Sequence, residues 1–156
     1  MPAWPQLLLP ATLIALAAVG AWLDWHRRLL PNWLCGIAGA AGLGAALLGP
    51  VSGPVWSHAV HALIALLVGM ALFAGGVIGG GDAKFYAALA LWFPLDDGFR
   101  LLLLVSMAGL ILTLAMWALI WRREPAGMDR QARSVPYGVA IAAGAVIQTL
   151  FMQAIA

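Results

Sequence analysis

Charge is what this sequence has least of. Asp, Glu, Lys and Arg make up 9% of its 156 residues, where a soluble domain carries roughly 25%. So few charges cannot cover a water-facing surface, which excludes a soluble globular enzyme. The positive side of that exclusion is a 64% hydrophobic content and a mean hydropathy of +0.98: an integral membrane protein whose first partner is the lipid bilayer. The net charge of +2 gives no footing for nucleic acid, and the positive charges read as topology markers. Cysteine is nearly absent too. Cys35 alone excludes an internal disulfide framework and any cysteine-based zinc site, and within an apolar stretch it reads as a small buried hydrophobe. Long polar stretches are missing: the longest, about 122–134, is too short to enclose a core. No soluble domain is expected, and one domain spanning 1–156 is the sensible count.

What is present is a series of apolar runs at about 4–23, 33–49, 59–78, 83–94, 99–121 and 135–155. Between them stand "RRLLPN", "GPVSGP", "GGGD", "FPLDDG" and "WRREPAGMDRQARSVP", the turn chemistry that separates helices. The first run is long enough to span and ends in "DWHRR" rather than a small-residue cleavage site, so it reads as a retained helix, not a signal peptide. The fourth run falls short of a hydrocarbon core of roughly 30 Å, and charge decides whether it crosses. With six crossings and the N-terminus outside, Arg27, Arg28, Lys84, Arg122, Arg123, Arg130 and Arg133 share one side against Arg100 on the other. Without that crossing the bias becomes an even split, contrary to the positive-inside rule. The expected fold is therefore all-α, with about six transmembrane helices and both termini outside. Rows of small residues, Gly36, Ala40 and Gly44, and Gly75 and Gly79 beside Gly76 and Gly80, fit close helix packing in lipid. Trp22, Trp25, Trp33, Trp56, Trp92, Trp117 and Trp121 lie near run ends, where an interfacial aromatic belt is expected.

Among the acidic residues, Asp96, Asp97, Glu124 and Asp129 fall in loops where water solvates them. Asp24 and Asp82 differ, because each abuts an apolar run, one ending the first helix and the other opening the fourth. The charge count puts both at the cytoplasmic face. Two carboxylates at a partly dehydrated site push each other's pKa apart, so that one ionises while the other keeps its proton. The ionised group takes a proton from water, and the protonated one hydrogen-bonds a peptide carbonyl and later protonates the leaving amine. That pair would hydrolyse peptide bonds without metal, cofactor or covalent intermediate. The plain alternatives remain open: Asp82 as an N-terminal cap of its helix, and Asp24 as an interfacial partner of Arg27 or Arg28. His58 and His61, three residues apart, read as interfacial histidines on the periplasmic side before they read as metal ligands. His26 stands beside Asp24 and is a candidate for biasing its charge, or for a headgroup role.

"GGGDAK", Gly79 to Lys84, resembles the GxGD signature of the type IV prepilin peptidases, which are intramembrane aspartic proteases. "DWHRRLLPNWL" is similar to the segment that carries their first aspartate, and "SVPYGVAIAAG" to the Pro-Tyr-Gly opening of the last helix in the short members. The three motifs stand in family order and cover nearly the whole chain. The resemblance implies that Asp24 and Asp82 are the catalytic aspartates. It also implies that Gly79, Gly80, Gly81 and Lys84 are signature residues. Pro31, Asn32, Pro136, Tyr137 and Gly138 match motif positions with structural roles first, and Tyr137 is a candidate donor into the site. The implied substrates are prepilins and pseudopilins, each a short basic leader followed by a hydrophobic helix. They would be cut after the leader glycine at the cytoplasmic face of a bacterial inner membrane. The loop from Trp25 to Asn32 replaces the cysteine-bearing insert of the long members, which puts their N-methylation, and with it an S-adenosylmethionine requirement, in doubt. The short form is similar to the peptidase of tight-adherence (Flp) pilus systems. A different class of function, a membrane scaffold that holds pilus or secretion partners on its small-residue faces, is the alternative.

Overall fold

A computed structural model describes residues 4–48, 53–119 and 135–155. Its α helices are α1 (Trp4–Arg27), α2 (Asn32–Leu47), α3 (Val55–Ala74), α4 (Gly80–Ala90), α5 (Gly98–Leu119) and α6 (Tyr137–Ile155), with a 3-10 turn, Leu95–Asp97, leading into α5. No strand occurs among the described residues. Four segments, Leu7–Arg27, Val55–Ala74, Leu95–Ala118 and Tyr137–Ala154, are long and apolar enough to cross a membrane. The chain is a membrane protein built of helices. α2, at 16 residues, and α4, at 11, are shorter than the roughly 20 residues a full span needs.

The short α4 is possible because protein, not lipid, surrounds it. Ala83, Phe85, Leu89 and Ala90 are buried, and α4 packs against α1, α2, α3 and α6. A helix covered in this way has no need to match the bilayer thickness, provided its terminal carbonyls find partners. They do: His58 Nδ1 bonds the Leu91 carbonyl at 3.0 Å and His61 Nδ1 the Phe93 carbonyl at 3.0 Å. Ser57 Oγ accepts from the Leu95 N–H at 2.9 Å. The expectation of interfacial histidines is thus corrected. Both are buried, because the end of α4 supplies carbonyls that α3 must satisfy. Trp92 also leaves the aromatic belt: it is buried, and its Nε1 donates to the Ala38 carbonyl of α2 at 3.0 Å. Trp22, Trp25, Trp33, Trp56 and Trp117 are exposed, as a belt requires, whereas Trp121 lies outside the described residues.

The small-residue rows also come out differently. Nothing lies within 4 Å of a Cβ placed at Gly36 or Gly44, so that row faces away from the bundle. The close approaches are elsewhere: the Phe85 ring sits against Gly20, and Ala83 against Gly69. Gly75 and Gly79 are not a helical row at all, because α3 stops at Ala74. Gly76, at φ 72°, takes the left-handed conformation that L side chains avoid. The Gly76 N–H then bonds the Phe73 carbonyl at 2.9 Å and the Val77 N–H the Leu72 carbonyl at 2.9 Å. This is a Schellman stop, and it turns the chain from α3 into α4.

Helix direction follows from these contacts. The start of α3 meets the end of α4, and α5 runs antiparallel to α6, with Arg100 over the Phe151 ring at one end and Gly109 near Tyr137 at the other. Successive helices alternate, which gathers the end of α1 and the starts of α2, α4 and α6 at one end of the bundle. Arg100, which pairs with Asp97 at 3.3 Å, lies at the opposite end. Arg122, Arg123, Arg130 and Arg133, which weigh most in the charge count, fall outside the described residues, as do Glu124 and Asp129.

Candidate active site

Asp24 lies in the last turn of α1, and the residue is only 6% exposed. Such burial of a carboxylate is costly unless donors face it. Here the donors come from α6, whose first turn supplies the backbone N–H groups of Gly138 and Val139 to the Asp24 carboxylate. A helix N-terminus is a favourable place for negative charge. Pro136, which has no N–H to lose, precedes that turn, and the Val139 N–H returns to its carbonyl at 3.1 Å. Gly138 is where α6 and Asp24 touch: a Cβ there would lie 2.8 Å from Oδ2 and 2.9 Å from Cγ. Oδ2 is buried with no hydrogen-bond partner among the described residues. The charge of Arg28 also acts on Asp24. Arg28 is the single non-glycine residue at positive φ, 52°, among those described. It closes α1 through its N–H to the Asp24 carbonyl at 3.0 Å.

Asp82 is the third residue of α4, after the cap Gly79 and then Gly80 and Gly81. Its carboxylate folds back on the Gly79 N–H, the return half of a capping box. The expected cap role is thus present, although Asp82 reaches back from the third position instead of occupying the cap itself. A Cβ at Gly79 would lie 2.7 Å from Asp82 Oδ2, so the signature glycine leaves room for that fold-back. Gly80 packs against Phe73 and Gly81 against Leu30, the latter with a would-be Cβ 3.2 Å from the Leu30 Cβ. The carboxylates of Asp24 and Asp82 are near enough for their charges to act on one another. Two helices distant in sequence therefore bring their acidic side chains to the same end of the bundle.

The remaining motif residues hold this end together. Lys84 Nζ donates to Asn32 Oδ1 at 3.1 Å, which ties the start of α4 to the start of α2. Pro31 caps α2, and its carbonyl accepts from the Leu34 N–H at 3.1 Å. His26 is engaged along its own helix: its Nδ1 lies 3.0 Å from the Trp22 carbonyl, and its ring centroid lies 3.7 Å from that of Trp22. Tyr137 stands at the start of α6 and, with Asp82, lines an apolar cavity of about 350 Å³. Cys35 is buried among apolar neighbours, as expected. No group of three or more His, Cys, Asp or Glu poised to hold a metal occurs among the described residues. The sequence reading missed Gly20, which receives Phe85, and the capping work of His58 and His61. Periodicity carries no sign of either, since both depend on which helices become neighbours.

No curated protein and no solved structure matches the chain. A family model does, over residues 11–114: that of the type IV leader peptidase family. The match takes in Asp24 and Asp82 and stops short of the Pro136–Gly138 motif. It spans well over half of the 156 residues, and with it the chain belongs to the type IV leader peptidase family.

Proposed function

We propose that this protein is an intramembrane aspartic endopeptidase that removes the short basic leader of type IV prepilins, of the tight-adherence (Flp) kind. Asp24 and Asp82 are the catalytic pair in this reading, and the six helices all cross the membrane with the pair at the cytoplasmic face. What supports it is that two carboxylates from helices distant in sequence lie at one end of the bundle within range of each other's charge, each facing backbone N–H donors, in a member of a peptidase family.

The chemistry follows from one proton shared by the pair. The ionised carboxylate takes a proton from water as its oxygen bonds the scissile carbonyl carbon, and the protonated carboxyl hydrogen-bonds the carbonyl oxygen. Collapse of the tetrahedral intermediate breaks the C–N bond, and a carboxyl proton passes to the departing amine. The leader leaves with a C-terminal carboxylate and the mature chain with a free N-terminus. No metal, cofactor or methyl donor takes part. Lys84 and Asn32 position the site by joining α4 to α2, and Gly138 seats Asp24. An anchored substrate helix would hold the scissile bond in place and lower the entropic cost of reaching the pair.

The test is cleavage of a Flp-type prepilin by the purified protein in lipid, read by mass spectrometry, with Asp24→Asn and Asp82→Asn alongside. Both exchanges keep hydrogen bonding and remove acid–base capacity. Wild type should cut after the leader glycine, and each folded variant should lose about 10²–10⁴-fold in rate. A folded variant that cuts at the normal rate defeats the aspartate pair and moves a scaffold role ahead.

A further inference from the structure

We propose that the groove between α3 and α5 receives the hydrophobic helix of the substrate, with the helix's leader end at Asp82. This rests on the peptidase reading above and names where that enzyme holds the apolar part of its substrate.

The groove exists because α3 and α5 do not pack on each other along their lengths. Each meets the Leu95–Asp97 turn at one end, while α4 and α6 lie behind. Ile64, Val68 and Leu72 of α3 form one wall, spaced four residues apart, and Phe99, Leu102 and Val105 of α5 form the other. The floor is Ala83 and Tyr86 of α4 with Ile141 of α6. From His61 at the closed end to Leu72 near Asp82 is eleven residues of helix, or roughly 16 Å. That is about three turns, and walls with a side chain at every turn are what helix ridges pack into.

The outer edges of both walls are open. Val68 is 55% exposed, Phe99 72% and Leu102 51%, so an apolar guest can enter sideways from lipid. Ala65 also lines the cavity, and its small size leaves room for a guest, whereas the space at Gly69 is taken by Ala83 and that at Gly98 by His61.

The chemistry of the lining selects a helix over the alternatives. An extended peptide would bring a row of unpaired backbone N–H and C=O groups into a groove whose middle offers a single polar side chain, Tyr86, whereas a helix satisfies them internally. A polar small molecule is disfavoured for the same reason. Polar side chains are few: His61 at the closed end, Asp82 with Tyr137 at the other, and the Tyr86 phenol on the floor between them. A ligand that fits is therefore apolar and helical for about three turns and becomes polar and non-helical beside Asp82. A basic leader joined to a hydrophobic helix has that order of properties. Continuity of the groove with Asp82 makes this occupant the favoured one over a second copy of the chain or a lipid tail.

A photo-crosslinking amino acid is placed at Val68 or Leu102, and at Leu43 on the far face of α2 as control. Each is expressed with a tagged full-length Flp-type prepilin, in the wild-type background and in Asp82→Asn, which keeps the substrate whole. The expected result is an adduct from Val68 and from Leu102 that maps to the prepilin's hydrophobic helix, with none from Leu43. Absence of a prepilin adduct at both groove positions, an adduct to a second copy of the chain instead, or equal adducts from Leu43 would each overturn the groove, whether or not cleavage is seen. A kinetic arm uses Val68→Trp and Leu102→Trp, which fill the groove, and Leu110→Trp, which lies outside it. The ratio of kcat/KM for the full prepilin to that for a soluble peptide spanning the cut site should fall by about tenfold or more in the first two, and not in the third. An unchanged ratio in all three also overturns the groove. Failure of the wild type to cut either substrate sinks the peptidase reading separately, and the crosslinks still decide the groove.

Discussion

A methyl group added at Gly138 would sit 2.8 Å from Oδ2 of Asp24 and 2.9 Å from its Cγ, approaches that need either α6 or the carboxylate to move. Displacement of a catalytic group by about 1 Å costs on the order of 10²-fold in rate. Gly138→Ala should therefore lower kcat on a prepilin by about that factor while the protein remains folded by size exclusion and thermal melting. Gly44→Ala is the matched control, since its Cβ meets nothing within 4 Å. It should leave cleavage intact and raise helix stability by about 0.5–1 kcal/mol, the ordinary gain of alanine over glycine inside a helix. Rates that fall equally in the two variants would show that Gly138 does no more than any helical glycine. The pair also makes a pH prediction. If catalysis needs one proton on two carboxylates, kcat/KM against pH is bell-shaped, with limbs that belong to the pair and not to either residue. A profile that climbs steadily with pH and never turns over would mean that no protonated carboxyl is required.

At the scale of the element, α4 is a short helix finished at both ends by side chains and turns from elsewhere in the sequence. Asp82 folds back on Gly79 at its start, and His58 and His61 cover the carbonyls at its end. Removal of a buried partner leaves a carbonyl unsatisfied, at a cost of about 1–3 kcal/mol. His58→Ala should accordingly lower the melting temperature in detergent, and His61→Phe, which keeps the bulk and loses the bond, should do the same. If His61→Phe melts like the wild type, the 3.0 Å contact to Phe93 is not what secures that end. These element-level facts mark the limit of what the sequence makes legible. Its apolar runs announce the helices and their number, because burial in lipid demands hydrophobicity whatever the neighbours are. The ends of α1 and α4 are legible from Asp24 and Asp82, since a charge beside an apolar run marks a helix end. The histidines are not, because their meaning depends on Leu91 and Phe93 arriving some thirty residues later in the chain. The glycines of "GGVIGGGD" look like a helical row, yet one residue at positive φ, Gly76, converts them into a stop and a start.

At the scale of the whole molecule, the alternation of the helices puts every motif residue of the candidate site at one end of the bundle and Arg100 at the other. The groove along α3 and α5 is invisible in the sequence for a simple reason: it is a contact not made, and hydropathy marks a lipid-facing residue and a substrate-facing one alike. Sidedness is expected from the distribution of basic residues, which the positive-inside rule places on the cytoplasmic side, and thiol labelling tests it. Leu29 lies in the loop between α1 and α2 beside the aspartates, and Asp96 in the turn at the far end; both are exposed. In a Cys35→Ser background, Leu29→Cys and Asp96→Cys each provide one thiol for a membrane-impermeant maleimide. Six crossings with the aspartates inside require Asp96→Cys to react in intact spheroplasts and Leu29→Cys to react only after the membrane is opened. The reverse pattern would put the aspartate pair on the outer face, away from a leader that the positive-inside rule keeps in the cytoplasm, and prepilin cleavage by this pair would then be untenable. Labelling of both thiols from one side would place the two ends of the helical bundle on the same face. The short α4 would then be a re-entrant segment rather than a crossing, and the charge bias read from the loops would no longer describe this fold.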